Sequence, residues 1–336
     1  MHLVQIARGK ERRVAVVREP ELLLLRDVES VVGLAQRSLA GGRTMTADVE
    51  DLASADTLRY DDVYEGISAW KLLAPIDVLG EPRRLVISGT GLTHLGSARD
   101  RQAMHRTPTE QEEAQMTDSM RMFEWGRQGG RHAAGTIGIA PEWFYKGDGS
   151  MVRGPSAALE IPGYAEDGGE EAEIAAIYLI AEDGTPWRIG MTTGNEFSDH
   201  VFERRNYLNL AGSKLCTCSI GPELVVGADF SDVAGNVRIL RGGEVLWQKA
   251  IRTGEENMCH SLVNLEHHHF KFAAHRQPGT VHIHFMGADC LSYGEGVRLG
   301  PGDVTEVQFA NFGRALRNVI AKEESVTARV RVRPMG

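Results

Sequence analysis

Gly169-Glu170-Glu171-Ala172-Glu173-Ile174-Ala175-Ala176-Ile177-Tyr178-Leu179-Ile180 is the stretch around which the chain is organised. From Ile174 to Ile180 it is apolar and β-prone, which predicts a buried strand. Successive side chains of a strand point to opposite faces, so Glu171 and Glu173 project together while Ala172 and Ile174 turn the other way. Two carboxylates at the mouth of a buried strand repel each other unless a cation lies between them. A second apolar run, Trp187 to Thr193, delivers Glu196 at its end as a third oxygen donor. Hard oxygen donors in this number suit Mg²⁺, with Mn²⁺ or Ca²⁺ as alternatives, and not Zn²⁺. The local pattern also admits a plainer reading, in which Glu166, Asp167, Glu170, Glu171 and Glu173 form one solvated acidic loop.

The surrounding motifs favour the first reading. Pro141-Glu142-Trp143-Phe144-Tyr145-Lys146 resembles the Pro-x-x-Phe-x-Lys segment of the fumarylacetoacetate hydrolase superfamily, and Glu171-Ala172-Glu173-Ile174 resembles its Glu-x-Glu-Leu metal motif. Gly190 to Glu196 is similar to the family's Gly-Tyr-x-x-x-Asn-Asp turn, with Glu196 in place of Asp. Gly212-Ser213-Lys214, followed by Ser219-Ile220-Gly221-Pro222, is similar to its Gly-Lys…Leu-Gly-Pro signature. Leu72-Leu73-Ala74-Pro75, Val86 to Leu92 and Gly300 to Val304 fit the same family in the same order, so the resemblance covers about residues 70 to 320. It implies an α+β fold: a mixed β-sandwich or β-roll of the superfamily's C-terminal type over 76–336, with a small N-terminal α/β domain over 1–75. It also implies metal ligation by Glu171, Glu173 and Glu196, catalytic roles for Lys146 and Lys214, and a homodimer.

Departures from the family pattern narrow the chemistry. Where the superfamily's hydrolases carry a His and a Glu that activate water, this chain has Ser97 and Asp100. A serine has no basic group near neutral pH, so it cannot take the proton a His would. His94 lies close to that place and is a candidate for substrate binding, as is Ser97, although a satisfied structural role is the competing reading for His94. His200 stands where relatives carry a substrate-binding arginine, Glu203 stands where an amide is common, and Tyr207 keeps an aromatic hydroxyl that either meets substrate or packs with Phe202 and Leu208. Gly287-Ala288-Asp289 occupies the place of a Gly-Thr-Pro substrate loop.

Composition sets outer limits. A chain of 336 residues, 42% hydrophobic, can bury a full core. Its net charge of −9 and lack of a basic stripe argue against nucleic acid as a partner. The N-terminus does not read as a signal peptide, no apolar run approaches the roughly 20 residues of a membrane helix, and cytoplasm is the expected setting. Cys216, Cys218, Cys259 and Cys290 form no disulfide framework or zinc set, and buried thiols are expected.

In chain order, strands are expected at Leu3 to Ala7, Arg13 to Val17 and Glu21 to Leu25. A helix capped by Asp27 follows over Val28 to Leu39, then a second helical stretch capped by Thr46. Thr107-Pro108-Thr109-Glu110 reads as the capped start of a helix presenting Met116, Met120 and Phe123, a core element or a lid. His267-His268-His269 cannot all face one ion, because helical neighbours diverge by roughly 100°. Glu266, His269 and Phe270 are expected to line one side of a helix there, the others meeting solvent. A strand over Thr280 to Met286 then sets His282 and His284 opposite Val281, Ile283 and Phe285. Val304 to Phe309 reads as a final strand and Arg329 to Arg333 as a solvated edge.

The resemblance implies that the partner is a small 2-keto acid. With the His and Glu pair missing, the expected activity is that of the superfamily's sugar-acid dehydratases: a 2-keto-3-deoxypentonate derived from D-xylonate or L-arabonate passes through an enolate to 2-oxoglutarate semialdehyde. Hydrolysis of an acylpyruvate and non-catalytic sugar-acid binding are the alternatives.

Overall fold

The computed structural model describes residues 1–99, 117–324 and 329–335. Two sheets carry the chain, with short helices on their faces. The larger runs Ala53–Arg59, Glu21–Leu25, Glu11–Arg18, His2–Arg8, Leu224–Val225, Pro186–Asn195, Ala172–Ile180, Val281–Phe285, Leu85–Gly91, Glu142–Asp148 in spatial order. The smaller runs Glu244–Thr253, Val233–Arg241, Val304–Phe309, Leu316–Lys322, Leu159–Ile161. Most neighbours are antiparallel, but Val281–Phe285 runs parallel to Leu85–Gly91.

Ala172–Ile180 is buried at every position, which explains its unbroken apolar run. One face presents Ala175, Ile177 and Leu179 to a core shared with Ile283, Phe285 and the N-terminal Val31, Leu34 and Val49. The other presents Ile174, Ala176 and Tyr178 to a core with Val237, Ile251, Leu265 and Phe309. Each aliphatic side chain buried this way contributes about 1.5–3 kcal/mol, so this strand fixes the register of everything around it. The N-terminal strands join the same sheet through His2–Arg8 and Leu224–Val225, with Leu3 opposite Leu224.

The first three expected strands are present. The first helix is Val31–Ala40, three residues later than the sequence suggests: Ser30 caps it, accepting from the Gly33 amide at 3.0 Å, while Asp27 sits in a left-handed turn at φ 55. Thr44, not Thr46, caps Met45–Leu52. In both cases the residue that wins has its oxygen three positions before the amide it satisfies. The Thr107 cap and Met116 lie outside the described residues. The described helix there is Asp118–Gly129, capped by Thr117, and it buries Phe123. His268 is buried rather than solvated, its Nε2 donating to the Gly138 carbonyl at 2.9 Å. Val304–Phe309 is followed by a further strand, Leu316–Lys322.

Candidate metal centre

Three connections bring the acids together. Glu173 lies opposite Gly194 in the ladder between Ala172–Ile180 and Pro186–Asn195. Past the strand ends the ladder continues as a clip, with the Glu196 amide donating to the Glu171 carbonyl at 2.9 Å and Gly169 and Ser198 exchanging both backbone hydrogen bonds at 2.9 and 3.0 Å. Between them Phe197 adopts φ 56, costly for a bulky residue, which turns its carbonyl onto the Lys146 ammonium at 2.6 Å. Oxygen atoms of Glu171, Glu173 and Glu196 then lie within 4.8 Å of one another, and among the described residues no other group of metal-capable side chains does so.

Two lysines are embedded with them, and all five side chains are buried. Lys214 Nζ reaches Glu171 Oε1 and Glu196 Oε2 at 2.5 Å each and Ser198 Oγ at 2.9 Å. Its ammonium also lies over the Phe144 ring, 4.6 Å from the centre. Lys146 donates to the carbonyls of Phe197 and Lys214, the latter at 2.9 Å, and pairs with Glu196 Oε1 at 2.8 Å. Its hydrogen bonds to the two carbonyls and its ion pair with Glu196 tie the turns at Phe197 and Lys214 to the site. Burial opposes its charge, but the nearby Cys216 and Glu196 outweigh this and raise its pKa.

The acids do not balance by themselves. Burial first, then the neighbouring Glu171 and Glu196, drives the Glu173 carboxyl well above the usual range, although the Gly287 amide donates to its Oε2 at 2.6 Å. Added positive charge beside Glu173 would favour its ionised form. A hard divalent cation is the species that an all-carboxylate donor set of this spacing fits.

The remaining expected site residues divide. His200 joins the centre: its Nε2 lies 3.1 Å from Glu171 Oε1. Tyr207 donates to the Glu142 carboxylate. Glu142, Phe144 and Lys146 share one buried face of their strand, so Glu142 lies one step beyond the ring that carries Lys214. Sequence reading passed over Glu142, although the same alternation that places Lys146 places it too. His94 and Ser97 have hydrogen-bond partners of their own outside the acidic cluster. His94 sits between Thr93 Oγ1 at 2.9 Å and Thr253 Oγ1 at 3.1 Å, with its pKa lowered by burial to about 4, and Ser97 donates to the His94 carbonyl at 3.2 Å. Asp100 is outside the described residues.

The chain aligns over 97% of its length with the whole of a solved 2-keto-3-deoxy-D-arabinonate dehydratase complexed with magnesium and 2,5-dioxopentanoate, at 17% identity and a TM-score of 0.70. A hexagonal crystal form described as 2-keto-3-deoxyarabinonate dehydratase aligns to the same extent, at 17% identity and a TM-score of 0.71. The chain has the fold of these enzymes. A 5-carboxymethyl-2-hydroxymuconate delta-isomerase from Mycobacterium smegmatis shares this fold more distantly, at 16% identity, a TM-score of 0.57 and coverage of 96% of this chain and 100% of that one. No family model and no curated protein sequence matches. The shared fold agrees with the resemblance that the ordered motifs carry.

Proposed function

We propose that this protein is a metal-dependent hydro-lyase that converts a 2-keto-3-deoxypentonate to 2-oxoglutarate semialdehyde, that is, 2,5-dioxopentanoate. The observation that carries the reading is Lys214 Nζ held at 2.5 Å between two of three clustered carboxylates. A lysine so placed would stand beside any ligand held by those acids.

Glu171, Glu173 and Glu196 would hold the divalent ion. Bound there, it would supply the Lewis acidity that polarises the C2 carbonyl and acidifies C3. Lys214 is the candidate general base. Its charged form is stabilised by Glu171 and Glu196, and engaging those carboxylates as ligands withdraws that stabilisation, so the amine can take the C3 proton. Glu142, gripped by Tyr207 through one oxygen, is the further carboxyl on that strand face, and in its protonated form it is the candidate donor to the departing C4 hydroxyl. One water leaves, and a C3=C4 double bond remains. Transfer of a C5 proton to C3 with a shift of the double bond gives the enol of the semialdehyde, which ketonises.

Hydrolysis is the weaker reading. Among the described residues nothing at the Ser97 position takes a proton near neutrality, and a His94 ring that protonates near pH 4 is a poor base there. The test is incubation of Mg²⁺-loaded protein with 2-keto-3-deoxy-D-xylonate and 2-keto-3-deoxy-L-arabonate, trapping the aldehyde. The expected result is semialdehyde that disappears with EDTA and returns with Mg²⁺. Pyruvate plus glycolaldehyde, or acid products from an acylpyruvate alone, would overturn the assignment.

A further inference from the structure

We infer that His200 is a positioning residue for the Glu171 carboxylate, fixing it as a ligand, and not a group that touches substrate. The inference rests on the metal reading above and extends it to a residue whose sequence position suggests substrate contact.

One ring nitrogen is hydrogen-bonded within the protein, and the other is buried against backbone without a hydrogen-bond partner. Nε2 meets Glu171 Oε1 at 3.1 Å, the oxygen that Lys214 also reaches. Two donors from different directions remove the freedom of that carboxylate to rotate. Nδ1 faces the backbone at Gly169, where an added Cβ would stand 2.2 Å away. Glycine at 169 is thus the space into which the ring fits, two residues before the ligand that the ring holds.

The ring itself is clamped. His200 opens the helix His200–Arg205, whose cap residue Asp199 accepts from the Phe202 amide and, through Oδ2, ties the helix to the acidic loop by accepting from the Glu166 amide, each at 2.9 Å. Asp167 Oδ1 accepts from the Val201 amide at 3.1 Å. On its open side the imidazole meets the Tyr293 ring, 5.1 Å between centres. Tyr293 is held in turn because buried Glu170 grips its neighbour Ser292 through the amide at 2.8 Å and the hydroxyl at 2.6 Å. Glu170 therefore serves the clamp while Glu171 and Glu173 serve the ion, which gives three nearly adjacent acids two separate tasks. A ligand carboxylate held by an oriented donor loses less entropy on binding a cation, and removing such outer partners typically weakens metal affinity about 10- to 100-fold.

The experiment titrates the purified, metal-stripped full chain with Mn²⁺, reading free Mn²⁺ by electron paramagnetic resonance and the metal-free fold by thermal melting. His200→Phe, which keeps a ring and removes the donor, is expected to raise the Mn²⁺ Kd about 10- to 100-fold. His200→Gln, which can set an amide N–H where Nε2 stands, is expected to restore most of that loss. Gly169→Ala pushes the native ring off Glu171 and is expected to weaken Mn²⁺ binding too, which keeps the test open if His200→Phe fails to fold. Wild-type affinity in a folded His200→Phe or Gly169→Ala variant would overturn the inference while leaving the metal reading intact, provided Glu173→Gln still abolishes uptake. A Gln variant as weak as the Phe variant would overturn it as well, since the ring would then act by shape alone. A wild-type chain that takes up no Mn²⁺ would remove both readings.

Discussion

Two of the buried groups of titratable side chains among the described residues are opposites. One is the acidic centre of Glu171, Glu173 and Glu196 with Lys146 and Lys214. The other is a histidine ladder. Trp143 Nε1 donates to His269 Nδ1 at 3.2 Å, so the proton of that ring is on Nε2 and is given to His282 Nδ1 at 3.0 Å. His284 lies between the hydroxyls of Ser88 at 2.8 Å and Thr90 at 2.7 Å, and His275 Nδ1 meets the His269 carbonyl at 2.6 Å. Burial holds His269, His282 and His284 towards the neutral form, in which their hydrogen bonds close, whereas burial and the like charges of Glu171 and Glu196 push the Glu173 carboxyl well above the usual range. Burial alone does not mark a site; a set that the protein's own partners leave out of balance does.

That contrast can be broken in four ways. The largest effect is expected of Glu173→Ala: folded protein, no Mg²⁺ uptake by calorimetry, and turnover reduced by more than about 10³-fold, because the ligands supply the charge that competes with water for the ion. Full activity without added cation would end the distinction. Lys214→Met is expected to lower kcat about 10²- to 10⁴-fold, the range for loss of a general base, while Mn²⁺ still binds.

The ladder should respond in the other currency. His284→Ala leaves the Ser88 and Thr90 hydroxyls without their buried partner and opens a void, which should cost about 2–4 kcal/mol in denaturant unfolding. Its Mn²⁺ affinity should stay at the wild-type value. The smallest effect is in pH. Burial lowers His282 and His284 to about 3 and His260 to about 4. In the unfolded chain these rings gain protons below about pH 6.5 that the folded chain refuses, so stability falls as pH drops from there towards 3 to 4, by roughly 1.4 kcal/mol per ring per pH unit. Asp167, raised to about 6 chiefly by burial, acts in the opposite direction and shallows the slope. Unfolding midpoints that do not move between pH 7 and 5 would show that the ladder is not held neutral.

What could be read from the chain follows the range of the interactions. The facing of Glu171 and Glu173 is a matter of two-residue alternation, and the arrival of Glu196 is a matter of where one apolar run stops; both are local and both were legible. The caps at Ser30 and Thr44 were misplaced by two or three residues, since neighbouring polar residues compete and only the backbone angles choose between them. Glu170 with Ser292, 122 residues apart, leaves no local trace, and neither does Tyr207 on Glu142 at a separation of 65. The histidines showed their alternation in Val281–Phe285, but their partners come from Leu85–Gly91, Trp143 and the helix Leu262–Phe270, which only the sheet order brings together.

Lys146 rides on Glu142–Asp148, the last strand in the order of the larger sheet, while the acid it neutralises belongs to the middle. A marginal strand frays more readily than an interior one, and each fraying event must pull that ammonium away from Glu196 and from two carbonyls. Deuterium uptake along 142–148 should therefore report on the state of the acids some strands away, slowing when a cation occupies them and quickening in a Glu196→Gln chain. The sheet margin would then serve as a latch whose looseness is set from the interior.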